Sequence, residues 1–179
     1  MHPLWPTLPE AGKLLVAFHE AGHAISALAL RVRFSEVVIG PYATRAKGFG
    51  YVVYSAVSMV EEAHYARNYL VSIFSGAAGV KALCSSVSDP DLAEVHKLGT
   101  EKDLDDANRI ATRHLRLAAD NLAVCFAQVE SDAGNLIRDP KITAALDNVA
   151  DDLLKKRRLT EEDVRILCLD SGMDVAAGL

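Results

Sequence analysis

The sequence predicts a mainly α fold of the α+β type: a helical domain with a small β-sheet near residues 35–56. Three observations carry this. Half of the 179 residues are hydrophobic while only 6% are aromatic, with Ala and Leu abundant, a composition that leans to helix. Apolar residues recur at three- and four-residue steps over long stretches, which is the helical period. β-branched and aromatic residues gather in one short region punctuated by Gly and Pro, as strands require. The length fits one domain, residues 1–179, with a core of useful size. Within it, residues 1–100 form a lobe with the first helix and the sheet, and residues 101–179 form a helical lobe.

The elements follow in order. Residues 1–10 are a Pro-rich lead-in. Glu10 to about Leu30 is a helix, with Leu14, Leu15, Phe18, Ala21, Ile25 and Leu28 at helical steps. SEVVIG (35–40) is a short strand and PYATRAKG a loop. FGYVVYSA (49–56) is the strongest strand signal, preceded by Gly48 and interrupted by Gly50. Ser58 to about Leu83 is a helix with Glu61 and Glu62 in its first turn. Its small-residue run SGAAG (75–79) matches Ala21, Gly22, Ala24, Ser26 and Ala27 of the first helix, so these two helices are expected to pack closely. Residues 85–103 read as a polar loop holding at most a short helical turn. The stretch from Glu101 to Leu136 is helical with one break. Two further helices start at Asp139–Pro140 and at Thr160 to Asp163.

Composition excludes several classes of function. The net charge is −5 and the one basic block is KKRR at 155–158. Beside a helix end this reads as a solvated tip favoured by the helix dipole, so no nucleic-acid partner is expected. Cys84, Cys125 and Cys168 form no CxxC pair, so they read as small buried hydrophobes in a reducing cytoplasm. The Pro-rich N-terminus lacks a basic segment before an apolar run, so no signal peptide is expected. Leu14 to Leu30 is the longest apolar stretch, but His19, Glu20 and His23 lie inside it, so no membrane span is expected.

Those three residues carry the chemistry. In HEAGH (19–23) the two histidines stand four apart, one helical turn, and share a face. They can offer two imidazole nitrogens to one ion, while Glu20 projects beside the ion without binding it. This is the H-E-x-x-H arrangement of zinc hydrolases. Three buried polar side chains without partners would cost several kcal/mol, and a metal satisfies them together. Zinc needs a third ligand. A metzincin places a glycine and then a histidine further along the same stretch, where this chain has Ser26 and Ala29. Glu61, Glu62, His64, His96 and His114 are formal candidates, as are Asp103, Asp105 and Asp106.

LVAFHEAGHAISALA resembles the zinc-site helix of the FtsH-type membrane-anchored AAA proteases. RAKGFGYVVYS is similar to that family's Gly-containing substrate strand. LGTEKDLDDANRIATRHL resembles its segment with a Gly, a following Asp and an Ala- and Arg-rich helix. AALDNVADDLLKKRRLTEEDV is similar to its last helices. The resemblance spans about residues 12 to 168. It implies zinc held by His19, His23 and Asp103, Glu20 as the catalytic base, and a substrate strand at Phe49, Gly50, Tyr51 and Val52. Asp103 has a second reading, as the closing residue of a capping box opened by Thr100. Where the family carries glutamates, this chain has Val80 and Lys81, and it contains no GxxxxGK[ST].

The expectation is therefore a cytoplasmic zinc metallopeptidase acting on peptides or unfolded segments. Alone it should be ATP-independent, with any ATPase supplied in trans. Two alternatives stand beside it: a zinc-stabilised regulatory or binding domain without turnover, and a zinc hydrolase of a non-peptide bond.

Overall fold

The computed structural model describes residues 4–43, 48–55, 63–84 and 90–175. In these residues the fold is mainly helical: six α-helices and one three-stranded antiparallel sheet, with two short 3-10 turns. The elements are α1 (Glu10–Ala29), β1 (Phe34–Ile39), β2 (Gly50–Tyr54), α2 (Ala63–Leu83), α3 (Pro90–Arg113), α4 (Ala119–Ile137), α5 (Pro140–Lys156), β3 (Arg158–Thr160) and α6 (Glu161–Asp170).

α1 is the central element. Every residue from Leu15 to Leu28 is buried, as expected of a helix apolar on all sides. α2 lies against it through small residues. A Cβ on Gly22 would collide with the Ser75 carbonyl, and one on Gly79 would lie 2.5 Å from the Phe18 oxygen. The expected close packing of these two helices is what the chain does. On its other side α1 packs against α5 and α6 through Ala145, Leu146, Val149, Leu153 and Cys168, in a core that also takes in Trp5 and β1. A second cluster joins α2, α3 and α4 around Leu70, Ile73, Ile110 and Val129.

β1 runs between its two partners in the order β2-β1-β3. Val37 pairs with Val52 of β2 and with Leu159 of β3. The expected sheet is present, but its third strand comes from residues 158–160, far outside the predicted region. The starts of α5 and α6 fall where the sequence puts them. Asp139 caps α5 by accepting from the Lys141 N–H, with Pro140 in first position. Thr160 and Asp163 form a reciprocal capping box on α6.

Four expectations need correction. Residues 90–103 are not a loop but the first half of α3, an unbroken 24-residue helix. The division at residue 100 marks no boundary, since it falls inside α3 and the main core joins α1 to α5 and α6. KKRR is a solvated tip in three of its four residues, Lys155, Lys156 and Arg158. Lys155 and Lys156 are exposed beside Asp152, but Arg157 turns back with φ 68° and lies 5.3 Å above the Trp5 ring. Of the cysteines, all free, only Cys168 is buried. The start of the helix expected at Ser58, with Glu61 and Glu62, lies outside the described residues. No helix among the described residues is long and apolar enough to cross a membrane.

Candidate metal centre

His19 and His23 project from the same face of α1, their rings 4.7 Å apart and nearly perpendicular. α3 crosses this face and brings in Asp103. The two Nε2 atoms are 3.1 Å apart. Asp103 Oδ2 lies 3.0 Å from His19 Nε2 and 3.3 Å from His23 Nε2. Among the described residues this is the group of His, Cys, Asp and Glu side chains whose ligand atoms converge. For metal–ligand bonds near 2.0 Å, the edge of a tetrahedron is about 3.3 Å. The observed triangle has that size.

Hydrogen bonding fixes what these atoms can be. The Nδ1 of His23 sits 2.9 Å from the Ser72 carbonyl. A carbonyl only accepts, so Nδ1 carries a proton and a neutral His23 presents the lone pair of Nε2 to the cluster. Asp103 Oδ2 is buried and, among the described residues, has no hydrogen-bond partner beyond these two imidazoles. A neutral His19 with its proton on Nε2 would donate to Asp103 at 3.0 Å; with its lone pair turned inward, as a ligand requires, three lone-pair-bearing atoms stand at these distances and repel unless a cation sits among them. A proton is one solution. Burial pushes the His23 imidazole down, but the Asp103 carboxylate, Glu20 and the Ser72 carbonyl outweigh it and hold it up at about 9. Against the cost of its own burial, the two imidazoles hold Asp103 well below the usual carboxylate range. A divalent metal is the other solution, and the donor set of two imidazoles and one carboxylate suits zinc with a fourth position left for water.

Glu20 is buried beside the cluster and outside it. Burial raises its carboxyl above the ordinary value, with His19 and His23 pulling the other way. Its position depends on β2. A Cβ at Gly50 would lie 2.5 Å from Glu20 Cγ and 2.6 Å from Oε1, so the space that Gly50 leaves open is filled by the carboxylate. Gly48 has φ +73° and, among the described residues, nothing near its absent Cβ, so it serves the turn.

The cluster opens into a cavity of about 700 Å³. Its walls include Phe49, Gly50, Tyr51 and Val52, together with Leu15, Val95, His96, Leu98, Lys102 and Asp106. All four residues of the expected substrate strand therefore border the same space as His19, Glu20, His23 and Asp103. β2 lies at the edge of the sheet. The Phe49 carbonyl accepts from Gly40 and the Ser55 N–H donates to Arg33. This alternation turns the odd-numbered residues toward β1, and Gly50 and Val52 toward the outer edge.

Asp103 stands in the middle of α3, and Thr100 donates its hydroxyl to the His96 carbonyl, so the capping-box reading falls. Of the other candidate ligands, His64 is exposed and next to Asn68, and His114 follows the end of α3. His96 lines the cavity with its ring 6.4 Å from that of His19, outside the ligand group. Asp105 is exposed. Asp106 borders the cavity but pairs with Arg109.

The sequence reading missed the residues that make room for the site. A Cβ on Gly76 would lie 2.5 Å from His23 Nε2 and 2.9 Å from His19 Nε2, and one on Gly99 would press on the His19 ring at 3.3 Å. The run SGAAG held the signal for Gly76; Ser72 and Tyr54 gave none.

Neither a scan against models of protein families nor a search of curated proteins gives a match.

Proposed function

We propose that this chain is a zinc-dependent, FtsH-like peptidase domain that hydrolyses peptide bonds in peptides or unfolded segments in the cytoplasm, without ATP when alone. The observation that carries this reading is the triangle of His19 Nε2, His23 Nε2 and Asp103 Oδ2, with the buried Glu20 carboxylate beside it. A structural zinc site closes with a fourth protein ligand and needs no base. Here the fourth ligand is lacking among the described residues and the base is present, which favours turnover over a regulatory or binding role.

The division of labour follows. His19, His23 and Asp103 would hold the metal. When bound, zinc supplies a Lewis acid that polarises the scissile carbonyl and makes water acidic near neutral pH. Glu20 takes the proton from the attacking water and delivers it to the leaving amine nitrogen. Burial suits it to both halves, because a carboxyl raised above its ordinary value holds the proton long enough to give it back. β2 offers the outward backbone groups of Gly50 and Val52 to an extended peptide, which would add as a further strand. Such pairing selects unfolded segments, because a folded substrate has no free backbone to offer.

The test is a labelled-peptide or casein assay with metal analysis, with and without a chelator. Zinc near one per chain and chelator-sensitive cleavage are expected. Glu20→Gln keeps the size of the side chain and removes its basicity, so zinc should stay while turnover falls by about 10²-fold or more. Zinc without peptide cleavage in the native protein would favour the non-catalytic domain or a non-peptide substrate.

A further inference from the structure

Ser72 grips His23 at two points. Its carbonyl accepts from the His23 ring at Nδ1, 2.9 Å away, and its hydroxyl donates to the His23 carbonyl at 3.1 Å. One residue of α2 therefore fixes both the ring and the backbone of one residue of α1. The hydroxyl has a second partner, the phenol of Tyr54, at 2.8 Å. Since the serine proton is committed to His23, the Tyr54 O–H donates to Ser72. Ser72 is fully buried. Tyr54 ends β2 and its ring is packed against Tyr69 at 4.5 Å. Nothing in the peptidase reading assigns a role to either residue.

We propose that Ser72 and Tyr54 are positioning residues that present His23 to the metal. The inference rests on the reading of His19, His23 and Asp103 as ligands. The Ser72 carbonyl selects the tautomer that turns the Nε2 lone pair inward. The Ser72 hydroxyl keeps that carbonyl in register with α1. Tyr54 locks the hydroxyl rotor, so that its proton points to His23 and not elsewhere. Partners of this kind typically change metal affinity by 10- to 100-fold, because a ring free to tilt must be ordered when the metal arrives. The chain of bonds also ties β2 to the metal helix at a second place. Gly50 receives Glu20 at one end of the strand, and Tyr54 reaches His23 through Ser72 at the other.

The logic of the chain gives the test. Tyr54 acts only through Ser72, so its effect should vanish when the hydroxyl is gone. Zinc affinity is measured by competition with a chromogenic chelator for the native protein, Tyr54→Phe, Ser72→Ala and the double variant. Thermal unfolding of the metal-stripped proteins and the visible spectra of their cobalt(II) forms are recorded alongside. Ser72→Ala should weaken zinc by about 10-fold, Tyr54→Phe by a smaller factor, and the double variant no more than Ser72→Ala alone. The cobalt(II) spectrum should shift in both single variants. Native affinity and an unshifted spectrum in both single variants, or additive losses in the double, would overturn the positioning role while leaving the metal site standing. Loss of stability in the metal-stripped proteins without loss of zinc affinity would make the bonds ordinary packing, which also overturns it. If Ser72→Ala does not fold, Tyr54→Phe alone decides by the same two readouts. A native protein that binds no zinc removes the metal site and this role together.

Discussion

Gly76 of α2 faces His23 of α1 at a distance that admits no side chain: a methyl on its Cα would lie 2.5 Å from ring atoms Cε1 and Nε2. The ring cannot swing away, because its Nδ1 is held by Ser72. Gly76→Ala should therefore cost zinc affinity at least about 10-fold, although alanine is the better helix former by about 1 kcal/mol. Metal analysis with thermal unfolding of the stripped protein separates the two effects. Undiminished zinc affinity would mean that the helices part more easily than their packing suggests.

Gly50→Ala makes the complementary lesion. The added methyl takes the place of Glu20 Cγ and Oε1 and leaves the three ligands alone. Zinc should stay near one per chain while peptide cleavage drops by about 10²-fold, matching Glu20→Gln. Gly48→Ala is the control: it meets no atom among the described residues and should cost about 1 kcal/mol of stability from its left-handed backbone, with activity kept.

Asp103, Asp105 and Asp106 of α3 separate by position. Asp103→Ala should lose zinc and cleavage, since two histidines alone make a poor tetrahedral site. Asp105→Ala removes an exposed carboxylate, and Asp106→Ala one already paired with Arg109, so both should keep zinc. Zinc retained in the first variant and lost in either of the others would reassign the third ligand.

Metal uptake should release a proton. In the stripped protein His23 is held up at about 9 by Asp103, Glu20 and Ser72 against the effect of its burial, so at pH 7.5 it is charged, and zinc needs it neutral. Calorimetry in buffers of different ionisation enthalpy should find close to one proton released per zinc. The pair also stabilises the stripped protein in a defined window. The folded value of His23 lies above its unfolded value of about 6.5, so its contribution is full below that and is lost as pH rises through about 9. Asp103 is lowered, so its contribution is present above about 3.9 and is lost as pH falls toward its folded value. Melting of the stripped protein should thus decline from pH 6.5 to 9.5 by more than that of Asp103→Asn.

What the sequence revealed and what it hid have physical causes. The motif His19-Glu20-His23 was legible because four-residue spacing fixes a shared helical face whatever the rest of the chain does. The caps at Asp139 and Thr160 were legible because their partners lie within three residues. The first half of α3 was hidden because the face it turns inward carries Gly99 and Asp103 where a packing helix would carry Leu, which breaks the apolar stripe. β3 was hidden because three residues, Arg158 to Thr160, hold no period, and only the distant β1 makes them a strand. Ser72 and Tyr54 were hidden because their roles exist only across contacts between elements far apart in sequence.

The sheet order β2-β1-β3 bears on how the protein is made. β1 meets one neighbour within a short loop and the other only after four helices have been added. α1 waits in the same way for the residues of α5 and α6 that cover its far side. A nascent chain stopped before Pro140 would show a ribosome or a chaperone both an apolar helix face and an open strand edge, the surfaces most prone to self-association. The helix that carries the metal motif is thus synthesised before α2 to α6 and is among the last of the described elements to be enclosed.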